Sequence, residues 1–208
     1  MPVILDFQNE LVSTVRFLHS KGWAVATSSN YSFRESGQTN FYISESGVDK
    51  GEFNRHHLIY IDAKGVPLEE PYRRVSAETD LHCTLYALFP KTQCVLHTHS
   101  ILGTILSQLY RYDDEIVFKN YELLKAFEGI KTHETMVRIP IFTNTQNIHS
   151  LSDELRNYVK KYPDTRAFLI AGHGLYTWAS SIAAAKRQVE AIEFLLDCEY
   201  KKRLLMKN

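Results

Sequence analysis

The sequence predicts an α/β protein built on a mixed, largely antiparallel sheet with helices on both faces. Three observations carry this expectation. Helix-period and strand-period segments alternate along most of the chain; three short strand-type runs follow one another between Trp23 and Gly65; and that early meander argues against a purely parallel, doubly wound sheet. With 208 residues, 44% hydrophobic and 23% charged, the chain has enough apolar material for one sizeable core, and a single domain over residues 1–208 is expected.

The elements follow in order. Phe7, Leu11, Val15 and Leu18 recur at three-to-four spacing, which predicts an amphipathic helix with Asp6 as N-cap and Gly22 as its stop. Residues 31–33, 41–43 and 58–61 are β-type runs separated by Ser, Asn and Gly clusters and closed by the Asp62-Ala63-Lys64-Gly65 turn. Ser76 is placed to cap a helix carrying Leu81, Leu85 and Leu88, which Pro90 ends. Cys94-Val95-Leu96 then forms a strand running into His97-Thr98-His99. Helical patterns over 101–109, 122–127 and 152–162 alternate with strands over 116–118, 137–142, 167–171 and 175–178. The final helix carries Ile182, Ala185, Val189, Ile192 and Leu196 along one face.

Charge narrows the function classes. The 24 Lys and Arg balance 24 Asp and Glu, so no broad attraction to nucleic acid or an anionic membrane is encoded. Cys83, Cys94 and Cys198 are odd in number and form no C-x-x-C pair, which predicts reduced, mostly buried thiols. The first residues lack a basic segment followed by a long apolar run, and no stretch is long enough to span a bilayer, so a cytoplasmic protein is expected.

The chemistry concentrates in the histidines. His97 and His99 stand two residues apart at a strand end, where alternation puts both imidazoles on one side, close enough to share an ion. His173 also ends an apolar strand, between Gly172 and Gly174, whose missing side chains leave room for a ligand. Three neutral imidazoles with an open fourth position suit a catalytic zinc site. His19 and His82 fall in helices and are assigned to ordinary packing or solvation rather than metal binding; His56, His57, His133 and His149 lie in polar connections and are assigned to solvent. Thr27-Ser28-Ser29-Asn30, Ser44-Glu45-Ser46-Gly47 and Ser76 offer hydroxyls and turn amides suited to a phosphate. Lys50 could add charge there, with an exposed position as its ordinary expectation.

Taken together, the ordered set Thr27 to Ser32, Ile43-Ser44-Glu45-Ser46-Gly47, Ser76-Ala77-Glu78, His97-Thr98-His99-Ser100 and Gly172-His173-Gly174-Leu175-Tyr176 resembles the class II aldolase and adducin superfamily over nearly the whole chain. The segments Ala26 to Ser32, Tyr121-Glu122-Leu123-Leu124-Lys125 and His173 to Trp178 resemble the branch that removes water from 5-methylthioribulose 1-phosphate in methionine salvage. Val75, Leu123 and Ala179 depart from the pattern without removing a chemical group.

The resemblance implies a three-layer α/β/α fold and one Zn2+ per subunit on His97, His99 and His173. It further implies Glu122 as general acid/base, with Glu78, which serves as base beside the metal in aldolase relatives, ranked second for that role and expected to contact the substrate. Ser28, Ser29, Asn30, Ser46, Gly47 and Ser76 of the polar loops are then the residues expected on a phosphorylated sugar. A homo-oligomer, commonly a tetramer with active sites near subunit boundaries, also follows from it. The alternatives on this fold are a class II sugar-phosphate aldolase or 4-epimerase, for which Tyr200 near the chain end is a candidate, and a non-catalytic adducin-like module.

Overall fold

A computed structural model describes residues 2–206; Met1, Lys207 and Asn208, at the ends of the expected 1–208 domain, lie outside the described residues. Eight strands form one sheet: β1 (Tyr31–Phe33), β2 (Phe41–Ser44), β3 (Leu58–Ile61), β4 (Cys94–Thr98), β5 (Glu115–Lys119), β6 (Met136–Phe142), β7 (Ala167–Ile170) and β8 (Gly174–Ala179). Their spatial order is β3-β2-β1-β4-β8-β7-β6-β5. Only β6 and β7 pair in parallel; every other neighbouring pair is antiparallel, as the meander predicts.

Five α-helices cover the sheet: α1 (Pro2–Ser20), α2 (Thr79–Leu88), α3 (Ile101–Leu109), α4 (Ile148–Lys161) and α5 (Ile182–Met206). Side-chain alternation along each strand separates two faces. Val95, Tyr176 and Trp178 join Leu81 and Leu85 of α2 and Leu151 and Leu155 of α4 in one core layer. Cys94, Leu96 and Ala179 point the other way, onto Leu11 and Val15 of α1 and Ala185 and Val189 of α5. A third cluster continues that second layer, with Leu106 of α3, Leu175 and Ile192. The result is the three-layer α/β/α arrangement.

Local boundaries differ from the sequence expectation where capping decides them. The first helix begins at Pro2 rather than after Asp6, since proline has no N–H to lose in a first turn. Ser76 does not cap α2 directly: its Oγ accepts from the Glu78 N–H at 3.2 Å, and the helix starts at Thr79. Asn147, whose side chain accepts from the Ser150 N–H, starts α4 at Ile148, four residues before the expected 152. Residues Glu122–Ala126 form a short 3-10 helix instead of an α-helix. Of the three free cysteines Cys94 alone is fully buried, because Cys83 and Cys198 sit at the margins of helix-packing faces. His57 is half-buried rather than solvated, its Nδ1 accepting from the Asn54 N–H in a capping box.

Candidate active site

The histidines meet where β4 and β8 end together. Register places His97 opposite Tyr176 and Thr98 opposite Leu175, so the chain leaving β4 toward His99 passes the chain entering β8 from His173. Donor nitrogens of His97, His99 and His173 all lie within 4.8 Å of one another, a group that could hold a metal ion. Gly174 makes this convergence possible: a Cβ there would stand 2.2 Å from the Thr98 carbonyl oxygen and 3.0 Å from His97 Cε1. Gly172 is left-handed at φ 66°, and its Cβ would meet the Gln108 side chain at 2.3 Å.

The donor set fits a metal in its protonation as well. His97 is fully buried, stacks on the Tyr176 ring at a centroid distance of 4.0 Å, and donates Nδ1–H to the Leu175 carbonyl at 2.9 Å. That bond fixes the tautomer and leaves Nε2 as a lone pair facing the other two rings. Burial, reinforced by the neighbouring His173, holds His97 well below the ordinary imidazole range. Burial and the two adjacent histidines push His99 down to about 3. The Nε2 atoms of His97 and His99 lie 2.7 Å apart, a separation that requires a proton or a cation between them.

Glu78 stands beside this triad, with Oε1 3.2 Å from His173 Nε2 and Oε2 3.4 Å from His97 Nε2. Asn30 Nδ2 and the Tyr176 hydroxyl both donate to Oε2, at 2.7 and 3.0 Å. A carboxylate only accepts, so the polarity of the buried network behind it follows. Asn30 turns Oδ1 toward His82, His82 therefore donates from Nε2, and its Nδ1 accepts from Ser32 Oγ at 2.7 Å. Ser32 in turn accepts from the Tyr86 hydroxyl at 2.9 Å.

His82 thus has a structural consequence. Replacing it with leucine takes the acceptor of the Ser32 hydroxyl hydrogen and the short donor to Asn30 Oδ1, leaving Ser32 its bond to Tyr86 and Asn30 Oδ1 only the 3.5 Å contact to the Tyr176 hydroxyl, which should cost about 1–3 kcal/mol in chemical denaturation at pH 7.5. Burial pushes His82 down to about 3 from 6.5. Above pH 6.5 the ring is neutral in both states; below it the unfolded chain takes a proton that the folded chain refuses, so this contribution is lost as pH falls. The stability gap between wild type and His82→Leu should therefore narrow below pH 6.5, and a gap independent of pH would contradict a buried neutral ring.

A cavity of about 310 Å³ opens in front of His99, His173 and Glu78. Ser28, Ser29, Asn30, Ser46, Gly47 and Ser76 all line it. Thr27 and Ser29 hold left-handed backbone at φ 61° and 72°, conformations that non-glycine residues adopt at a cost of about 1 kcal/mol or more each. Ser28 Oγ is buried there without a protein partner. Asn144, Thr145 and Gln146, in the loop after β6, complete the wall. Sequence reasoning passed over them, although a polar run directly after an apolar strand was the available signal.

Two residues lie where the sequence did not place them. Lys50 is buried, not exposed, and its Nζ donates to the carbonyls of Thr27 and Val48 at 3.1 and 2.9 Å. Glu122 is not brought to the triad of its own chain. Strand β5 runs antiparallel to β6 with Lys119 opposite Met136, so the chain leaves β5 at the end of the sheet away from the histidines. Glu128 in the same segment accepts from the Ser180 N–H, beyond the far end of β8. The separation along the strands is on the order of 15 Å. The Glu122 side chain is 69% exposed and pairs with Lys125, with His133 3.6 Å away. Tyr200 is half-buried and packs against its own chain's core.

Residues 9–200 match the family described as Class II Aldolase and Adducin N-terminal domain, and the chain belongs to that family. Relatives that it matches over almost their whole length share one name. The methylthioribulose-1-phosphate dehydratase of Pseudomonas fluorescens is 45% identical over 197 residues, covering 95% of this chain and 93% of that protein. The protein of the same name from Azotobacter vinelandii is 44% identical over 205 residues, covering 98% of each. In structure, the L-fuculose-1-phosphate aldolase of Thermus thermophilus matches with a TM-score of 0.77 at 18% identity, over 98% of both chains, which establishes the shared fold.

Proposed function

We propose that this chain removes water from 5-methylthioribulose 1-phosphate, giving 2,3-diketo-5-methylthiopentyl 1-phosphate, as a zinc-dependent step of methionine salvage in the cytoplasm. The observation that carries the reading is the cluster of three imidazoles and Glu78 opening on a cavity walled by hydroxyls and amides. The near full-length relatives of that name point to the same substrate. Three cysteines without a disulfide suit a reducing compartment.

The serine and asparagine loops, with Ser76 and Gly47, hold the phosphate, leaving the sugar carbons toward His99 and His173. His97, His99 and His173 hold zinc, one ion per subunit, which when bound supplies Lewis acidity to the C2 carbonyl and makes the C3 hydrogen acidic. Glu78, anchored through Oε2 by Asn30 and Tyr176, keeps Oε1 toward the sugar and orients it. Glu122 takes the C3 proton and returns it to the departing C4 hydroxyl, so one carboxyl serves as base and then acid. The enol left between C3 and C4 becomes the diketone by tautomerisation.

Because Glu122 lies at the far end of its own sheet, the carboxylate at each triad comes from a neighbouring copy in a homo-oligomer, a tetramer in our reading. Support for a subunit contact there comes from α3, whose Ile101, Ile105 and Leu109 form an exposed apolar stripe. Ile101 and Ile105 border the opening beside His99 and His173.

Mass spectrometry of the zinc-loaded protein with methylthioribulose 1-phosphate tests the activity. The expected result is a chelator-sensitive product lighter by one water. Two smaller fragments would instead establish aldol cleavage, and an unchanged substrate with folded, zinc-replete protein would remove the dehydratase reading.

A further inference from the structure

Lys50 is a buried cation that no carboxylate contacts among the described residues. It is 1% exposed, and among the described residues no carboxylate oxygen lies within 4 Å of its ammonium. The adjacent Asp49 turns its Oδ1 to the Gly51 N–H. Two of the three ammonium hydrogens go to backbone carbonyls, of Thr27 and of Val48. Burial lowers Lys50 to about 8, against the pull of Asp49, so the side chain is mainly charged at neutral pH.

Those two carbonyls belong to the two loops that wall the cavity. Thr27 begins the Ser28-Ser29-Asn30 wall, and Val48 follows Gly47 of the other. Lys50 therefore ties the loops together and places a positive charge behind two walls whose serines, threonine, asparagine and glycine are neutral; of the carboxylates lining the cavity, Glu45 pairs with Arg73 and Glu78 stands at the histidines. An uncompensated charge removed from water is costly, and a structure that keeps one has a counter-ion for it in its working state. The orphaned Ser28 hydroxyl in the same wall is a second group that lacks a partner within the chain.

We propose that Lys50 is a charge-compensating and positioning residue for the substrate's phosphate: it neutralises the bound dianion from under the cavity floor, and holds the Thr27 and Gly47 loops at the spacing that dianion needs. The inference rests on the reading of this cavity as the phosphate site. It makes Lys50 a determinant of selectivity for phosphorylated over unphosphorylated sugars, since the neutral parts of the substrate gain nothing from a buried cation. The action is Coulombic and through the loop backbone, so direct contact with a phosphate oxygen is not required.

The test compares wild type with Lys50→Met, which keeps a chain of similar length and apolarity without the charge, and Lys50→Arg, which keeps the charge. All are full-length and metal-loaded. Lys50→Met should raise KM for the phosphorylated substrate by about 30-fold while kcat stays within about threefold, and should weaken inorganic phosphate binding in calorimetry by a similar factor. Lys50→Arg should recover most of the phosphate affinity. Equal phosphate affinity in wild type and Lys50→Met, or a loss confined to kcat, overturns the proposal.

If Lys50→Met does not fold, lysine NMR of the wild type decides. Inorganic phosphate should raise the titration midpoint of the Lys50 ammonium, and an unmoved midpoint at saturating phosphate overturns the proposal. Failure of the underlying reading is distinguishable: a wild type that turns over the substrate but shows no affinity for inorganic phosphate would remove the cavity as the phosphate site before any variant is compared.

Discussion

A His97→Ala protein should contain no bound metal after dialysis and show no turnover, whereas elemental analysis of the wild type should find one ion per chain. His97 is central to the cluster because its ring lies between the other two groups: its Nε2 is 2.7 Å from His99 Nε2 and 3.4 Å from Glu78 Oε2. Its position is fixed twice, by the Leu175 carbonyl and by the Tyr176 face. Those constraints make the donor available without further ordering, and losing such a ligand typically lowers metal affinity by orders of magnitude. The substitution also empties a fully buried site and strips the Leu175 carbonyl of its donor, so circular dichroism and thermal unfolding should accompany the metal assay. A folded His97→Ala chain with stoichiometric zinc would contradict the ligand assignment.

Glu122→Gln should lower kcat by about 10³ with zinc content and melting temperature unchanged, the usual size for loss of a general acid/base. The stability expectation follows from exposure: the carboxylate is 69% accessible, and its pairing with Lys125 is a surface ion pair of small worth. A kcat near that of wild type would remove Glu122 from the role. The location of Glu122 makes a sharper test available. Mixed oligomers reconstituted from inactive His97→Ala and inactive Glu122→Gln chains should regain up to roughly a quarter of wild-type activity, because that fraction of sites pairs an intact triad with an intact neighbouring carboxylate. Complete inactivity of mixtures that demonstrably co-assemble would exclude a site shared between chains.

The elements of the fold were legible because their signals are local. The three-to-four spacing of Leu11, Val15 and Leu18, the strand-type runs before Gly65 and the apolar strand leading into His97 each depend on residues a few positions apart. The candidate histidines were legible for the same reason, since alternation along one strand and glycines flanking a third ring are short-range patterns. Boundaries were less so: Asn147 and Pro2 moved helix starts through single side-chain or missing-donor effects that compete with the periodic pattern.

What the sequence by itself determined, then, is the type and order of the elements and the chemical identity of the groups that could bind metal and phosphate. Only the tertiary structure decided which of these groups meet. Strand order β3-β2-β1-β4-β8-β7-β6-β5 joins segments far apart in the chain; it sets Glu78 against His173 and sends Glu122 to the opposite end of the sheet. Burial of Lys50 is likewise a non-local outcome, fixed by the Thr27 carbonyl 23 positions away. Periodicity reports the environment of one element at a time, whereas a site is assembled by hydrogen-bonded pairing and packing between elements, and that information resides in contacts rather than in spacing.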